Sequence, residues 1–382
     1  MIHKLRKLPP VVDNRQTVFR NVFLSAAILA IANMGDAFLY AWLPTHFQEA
    51  GITPFAVGAV LSVNRLTRLF MNARVARFLS SRGIKMATFT AVIAASFATF
   101  SYGWMSAIPL WILTRVLWGI CFSTLRLGST LYALEYPKRG MALGLSRGLI
   151  ELGPVVALVV GPLLLESFGR GITFFVFGLV GLAGGTMVLF LSDIKTRAVT
   201  KKELKLSSPS PFNLLTLSNA FITEGVLVVL VGKITHNRVF LSWEGLVLTG
   251  FLLSYRRISF VIFSPLAGWL ADKWGFQKLF FNISILTSVS LVLILFGADV
   301  IGIVVAFTFS AMNASICTGG AISANNLLIK EISDNATWRD IGTAAGAFAG
   351  AALLSVSDLQ PYFIALFLVY AVSLIRYYYK TK

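Results

Sequence analysis

Two segments of this sequence place arginine inside apolar runs, in nearly the same words. LSVNRLTRLF, from Leu61, carries Arg65 and Arg68, and LSYRRISFVI, from Leu253, carries Arg256 and Arg257. A guanidinium presents five N–H donors in a rigid fork and stays charged, so it suits the capture of carboxylate or phosphate oxygens by charge-assisted hydrogen bonds. Other ionisable groups also interrupt apolar runs: Asp36, Glu151 and Glu224 on the acidic side, Arg115, Arg126 and Arg147 on the basic side. Burial favours the neutral form of a carboxylate and a neighbouring arginine favours the charged form, so a group held between the two can change protonation when a helix moves. These residue types point to two chemistries, binding of an anion and transfer of protons. Arg65, Arg257 and Arg256 are the expected anion ligands, with Tyr40, Trp118 and Tyr255 beside them. Asp36, Glu224 and Glu151 are the expected proton sites. For each buried arginine the alternative is a structural pair that locks helices together, and this applies most to Arg68 and Arg126.

The elements that carry these residues follow from composition. Of 382 residues, 57% are hydrophobic and 13% charged, and mean hydropathy is +0.78, where soluble chains average about 45–50% apolar and about 25% charged. Twelve apolar runs have the roughly 20-residue length of a membrane-spanning helix: 19–43, 54–79, 86–104, 108–133, 141–166, 172–193, 211–234, 245–270, 279–297, 301–326, 341–357 and 361–378. The fold class read from them is all-α integral membrane. The net charge of +17 would suggest nucleic acid in a soluble protein. Here the basic residues fall mainly in alternate gaps: Lys4, Arg6, Lys7, Arg15 and Arg20; Arg77, Arg82 and Lys85; Lys138 and Arg139; Lys195 to Lys205; Arg376, Lys380 and Lys382. The opposite gaps hold only Arg170, Lys233 and Arg238. That asymmetry places both termini in the cytoplasm and excludes a nucleic-acid partner.

Cys121 and Cys317 each lie in an apolar run, which argues against a disulfide framework, and His3, His46 and His236 have no metal-ligand spacing. No cofactor is expected. With no P-loop and no nucleophile–base grouping, the chain does not read as an enzyme.

The segment from Asp193, DIKTRAVTKKELKLSSPSP, is the one long polar interruption. It divides the chain into residues 1–193, a linker 194–210, and residues 211–382. The halves repeat. Gly58 matches Gly250, Leu61 matches Leu253, Ser62 matches Ser254, Arg65 matches Arg257, Gly83 matches Gly275 and Arg147 matches Arg339, each pair 192 apart, as in 257 − 65. Parallel six-helix repeats about an axis along the membrane normal describe one transporter architecture.

GWLADKWGFQK, from Gly268, resembles the G-x-L-A-D-R-x-G-R-K loop of the major facilitator superfamily. The resemblance implies two pseudo-symmetric six-helix bundles and a conformational latch formed by Gly268, Asp272 and Gly275. The first-half copy, ARFLSSRGIK, keeps Gly83 and Lys85 but has Ala76 and Ser80 where the second copy has Gly268 and Asp272. RVLWG, from Arg115, resembles the family's R-x-x-x-G signature and implies a part for Arg115 in proton handling. The two Gly-Pro steps, Gly153-Pro154 and Gly161-Pro162, resemble the motif of the drug/metabolite:proton antiporter branch. What the resemblance implies is proton-coupled export by alternating access.

Arg65 lies about 11 residues from Pro54, or ~16 Å along a helix, near the middle of a hydrocarbon core ~30 Å thick. A charge there costs at least about 2.5–3.5 kcal/mol and should face protein or a water-filled cavity. Arg339-Asp340 opens the eleventh run, either as a cap at its cytoplasmic end or as part of the cavity, the cap being favoured. The run GTAAGAFAGAA from Gly342 suits close helix packing. The whole reading is a monomeric transporter in a bacterial or archaeal cell membrane, whose partners are protons, the bilayer and a small anionic or zwitterionic molecule. Uptake of an anion, flipping of an anionic lipid, and a non-transporting sensor remain open beside it.

Overall fold

The computed structural model describes residues 15–194, 206–235, 245–322 and 328–381. Residues 1–14, most of the linker, His236 and Arg238 lie outside the described residues. The described chain is helical nearly throughout. Helices α1 (Arg15–Ala32) and α2 (Met34–Trp42) make the first span, interrupted at Asn33. Then come α3 (Pro54–Arg82), α4 (Ile84–Ser101) and α5 (Ile108–Glu135). The long α6 (Arg139–Gly185) reverses at Gly169, whose φ of 74° breaks the helix, so it supplies the fifth and sixth spans. The seventh consists of α7 (Pro211–Ala220), a π-helical segment (Phe221–Val226) and α8 (Leu227–Thr235). The rest are α9 (Gly245–Trp274), α10 (Phe276–Leu295), α11 (Asp299–Gly320), α12 (Leu328–Ala352) and α13 (Gln360–Thr381). Eight helical stretches among the described residues are long and apolar enough to cross a membrane; α3, α9 and α12 have the length but carry the intramembrane charges. Leu163, Phe70 and Val372 are exposed on the outside, as lipid-facing side chains are.

The two halves start and turn alike. Thr53 caps α3 and Ser210 caps α7, each followed by proline at the first helical position, where the missing N–H costs nothing. Gly83 (φ 82°) and Gly275 (φ 85°) make the same tight turn after α3 and α9, a conformation that a Cβ would strain. The halves form two bundles, each with its own apolar core, and the first core also takes in Ile329 and Ile332 of α12. Leu215, Leu230, Leu252 and Phe307 belong to the second core, and Leu29, Leu79, Trp118 and Tyr132 to the first. The bundles meet along two flanks, α3 against α12 and α6 against α9. Gly342 and Gly346 let α12 lie on the backbone of Leu217 and Phe221 within the second bundle.

One span departs from expectation. The eleventh helix starts at Leu328, not near residue 341. KEISDNATWRD reads as a loop by hydropathy, yet Ser333, Asp334, Asn335, Thr337 and Asp340 are buried. They face protein rather than lipid, so hydropathy misjudges them.

The exceptional cations on the face away from the termini also find an explanation. Arg170 donates to the carbonyls of Tyr102 and Glu49, both at 2.9 Å, and to that of Met105. It lies over the rings of Trp42 and Trp111, 4.8 and 5.5 Å from their centroids. Lys233 donates to the carbonyls of Leu353, Leu354 and Val356 at the end of α12. Cations are favourable at such helix C-termini. Arg170→Ala should therefore cost about 1–3 kcal/mol of stability, seen as a lower thermal unfolding midpoint of purified protein; an unchanged midpoint would contradict the capping role.

Candidate functional site

The seam between the bundles is built from charges that α3, α5, α6, α9 and α12 carry inward. On the α3–α12 flank, Asp340 takes two bonds from Arg126 of α5, at 3.3 and 2.9 Å. Arg68 lies 3.7 Å from the same carboxylate. Asn72 donates to Asp340 at 3.3 Å and to Thr337 at 3.1 Å, and its own carbonyl oxygen accepts from Ser123. Asp340 thus ties two helices of the first bundle to one of the second. The helix-end cap favoured from sequence is replaced by a bidentate lock, because α12 begins twelve residues earlier than Asp340, at Leu328.

The α6–α9 flank is joined differently. Asp272 accepts from the backbone N–H groups of Gly140 at 2.7 Å and Met141 at 2.8 Å. Its carboxylate thereby satisfies orphan donors at the start of α6 and meets the positive end of that helix. Gly140 and Gly144 press against the backbones of Gly268 and Ser264, leaving no room for a Cβ. Farther along, Glu151 accepts from Arg257 across the seam at 3.2 Å and pairs with Arg147 of its own helix at 3.1 Å. At the 192-residue offset Asp340 corresponds to Gly148 and Asp272 to Ser80. The flanks are therefore unequal, one locked by a carboxylate among arginines, the other by close backbone packing and a helix cap.

Between the flanks lies a cavity of about 50 Å³, lined by Arg126, Ser146 and Arg147 from the first bundle and Thr318, Asn335 and Arg339 from the second. Arg147 and Arg339 are repeat mates. Arg339 gives Nε at 3.0 Å and Nη2 at 2.7 Å to one oxygen of Glu224, while Thr343 reaches the other at 3.4 Å. Glu224 sits in the π-helical segment, a geometry that is rare and recurs at functional positions. Guanidinium groups outnumber carboxylates along the seam. The Nε atoms of Arg68, Arg147 and Arg256 are buried without a hydrogen-bond partner. Arg256 lies over the rings of Phe260 at 5.6 Å and Phe307 at 6.0 Å and makes no ion pair within 4 Å among the described residues. Arg65 is half-buried, and no ion pair joins it to a carboxylate among the described residues.

The remaining expected residues are distributed as follows. Arg257 is engaged with Glu151, so the expected pair Arg65 and Arg257 is unequal in this state. Asp36 and Arg115 pair with each other inside the first bundle. Arg115 also donates to Tyr102 Oη at 3.2 Å, Tyr40 Oη at 3.1 Å and the Val60 carbonyl at 3.3 Å. Tyr40 Oη in turn donates a hydrogen bond to the Leu61 carbonyl at 2.9 Å. The hydrogen-bond partners of this network all belong to the first bundle. Trp118 is fully buried in the core of the first bundle beside Phe122, and Tyr255 bonds Thr308 at 2.6 Å within the second. Sequence reasoning did not single out Asn72, Phe260 or Asn335. The constant offset of Arg147 and Arg339 was the signal that could have led to their common cavity.

A family model described as Major Facilitator Superfamily matches residues 26–334. Among curated proteins, "Multidrug resistance protein MdtG" of Citrobacter koseri is 24% identical over 368 residues, covering 86% of this chain and 87% of that protein. The protein of the same name from Yersinia enterocolitica is 22% identical over 366 residues, covering 87% and 86%. Among solved structures, the Escherichia coli fucose:proton symporter FucP superposes with a TM-score of 0.72 at 12% identity, over 95% of this chain and 98% of that one. A second FucP structure, in the outward conformation, gives 0.69 over 97% and 99%.

Proposed function

We infer function from one premise: the chain belongs to the Major Facilitator Superfamily. It is a multi-pass membrane transporter with the twelve-helix fold of that family, not an enzyme. Beyond this, we propose that it carries a small organic anion together with protons. The two bundles, residues 1–193 and 211–382 joined by the linker 194–210, rock about the seam. Both termini face the cytoplasm. Lys138, Arg139, Arg77 and Arg82 lie on the terminal face, whereas Arg170 and Lys233 on the other face are consumed by carbonyls.

One observation carries the substrate class: Arg147 and Arg339, equivalent in the two halves, line a single cavity between the bundles. Around them guanidinium donors are left over, and a second carboxylate or phosphate is what such donors would bind. At about 50 Å³ the cavity has room for only a few waters, so the bundles must part to admit cargo. Asp340 and Asp272 are the groups to release on the terminal face.

Coupling follows from Glu224. Its carboxylate holds Arg339 with two bonds. A proton on Glu224 removes that charge and frees Arg339 for the cargo. An anion that binds better when Glu224 is protonated must, by reciprocity, raise the proton affinity of Glu224. Proton and anion therefore favour the same loaded state, which is the logic of cotransport. The second reading is export by exchange, which the multidrug-resistance names of the relatives favour.

The sign of the gradient separates them. In proteoliposomes supplied with membrane-impermeant labelled anions, cotransport predicts accumulation when the interior is alkaline, and exchange predicts it when the interior is acidic. Glu224→Gln should remove the response to the gradient in either case. Movement of cations alone would overturn the anion reading.

A further inference from the structure

Inside the second bundle, bordering the seam cavity at Asn335 and Arg339, runs a polar column whose α7 residues the anion reading does not use. Along α7, Asn213, Thr216 and Asn219 recur at helical spacing and lead to Glu224 in the π segment. Against Glu224 and Arg339 lies a cavity of about 10 Å³, also lined by Thr216, Asn219 and Asn313, which is about the size of one water. Asn219 is 5% exposed and Asn313 3%, yet Asn219 Nδ2 and Asn313 Oδ1 have no protein hydrogen-bond partner. Orphaned buried polar atoms cost about 1–3 kcal/mol each, and two of them on one water-sized space mark a hydrated site.

Toward the terminal face the column is stoppered. Asn335 of α12 donates to Thr216 Oγ1 at 3.4 Å and to Asn213 Oδ1 at 3.0 Å. Beyond Asn213 opens a pocket of about 400 Å³ bordered by Ser210, Asp334 and Lys380. Asn335 is 1% exposed and lies on the same helix as Asp340, so a movement of α12 that releases the Asp340 lock displaces Asn335 too. The charged and titratable groups around Glu224 are Arg339 of α12, Arg256 of α9, Arg147 of α6 and Cys317 of α11. None of them lies in the column between Asn219 and Asn213.

We propose that the proton passes between Glu224 and the cytoplasmic solution through the interior of the second bundle, with Asn335 as its gate, while the anion leaves through the seam. The proton moves from the Glu224 carboxyl group to water in the small cavity, and the carboxylate left behind recovers Arg339. Water ordered by Asn219, Asn313 and Thr216 carries it to the pocket once Asn335 lets go. This inference rests on proton coupling at Glu224.

Two variants with opposite expected effects test it in vesicles containing the full-length protein. Asn335→Ala removes the stopper and should give a proton leak without substrate, read with a pH-sensitive dye, at least several-fold above wild type and abolished by adding Glu224→Gln. Thr216→Leu, at a residue that lines the small cavity but not the seam cavity, fills the path with apolar atoms. It should abolish gradient-driven accumulation while substrate exchange at equal pH continues, which also shows that the protein is folded. A leak at the wild-type level in Asn335→Ala, together with full gradient-driven accumulation in Thr216→Leu, overturns the route. If Glu224→Gln itself still accumulates substrate against its gradient, the coupling role of Glu224 fails instead.

Discussion

Arg147→Gln should weaken binding of the transported anion about 10- to 100-fold, on the basis of about 1.5–3 kcal/mol for a hydrogen bond to a charged group. The reasoning depends on what the variant leaves behind. Glu151 loses Arg147 but keeps Arg257 at 3.2 Å, so no buried carboxylate is stranded and the fold should persist. Arg339→Gln removes a second ligand but does strand Glu224, so it is best examined together with Glu224→Gln. The combined Arg147→Gln, Arg339→Gln and Glu224→Gln protein should bind the anion more than 100-fold more weakly, if each lost bond again costs about 1.5–3 kcal/mol. Equilibrium binding in detergent, with size-exclusion elution as the control for folding, reads both variants. Wild-type affinity in Arg147→Gln would make that residue a helix-packing arginine and nothing more.

The second large effect is on stability. Arg115 is 0% exposed and its donors are spent on Asp36, Tyr40, Tyr102 and the Val60 carbonyl. Asp36→Ala should destabilise the protein by about 3–5 kcal/mol, because it leaves an uncompensated buried charge. Replacing both partners, Asp36→Leu with Arg115→Met, should recover much of the loss, because an apolar pair of similar volume avoids the desolvation penalty. The order of thermal unfolding midpoints checks this: wild type and the double variant above the single one. A single variant as stable as wild type, but defective in gradient-driven transport, would instead return Asp36 to the proton role that its position in an apolar run suggests.

Much of the architecture was legible in the sequence because the bilayer permits little else. Apolar run length gave the spans, the constant 192-residue spacing gave the duplication, and the glycines at 83 and 275 gave matching turns. The helix that mattered most at the seam was the one hydropathy placed worst. Asp334, Asn335, Arg339 and Asp340 make the start of α12 look like a loop, and only their burial against other helices makes a spanning helix of it. Partner choice was not legible either. Nothing in spacing says that Arg257 meets Glu151 or that Asp340 gathers Arg126, Arg68 and Asn72, since those contacts depend on how two bundles dock. The π-helical turn at Glu224 likewise has no residue signature. The repeat did contain a usable hint, because Arg147 and Arg339 share the offset of the more conspicuous Arg65 and Arg257.

The central claim is that cargo rests between equivalent arginines of the two halves, and an electron-density map with an iodine-labelled substrate anion tests it most directly. Iodine density between α6 and α12, with the anionic group within hydrogen-bond reach of Arg147 and Arg339, is the predicted result. Density enclosed within one bundle, against Arg115 or on the lipid-facing surface, with Arg147 and Arg339 still bound only to Glu151 and Glu224, would contradict it.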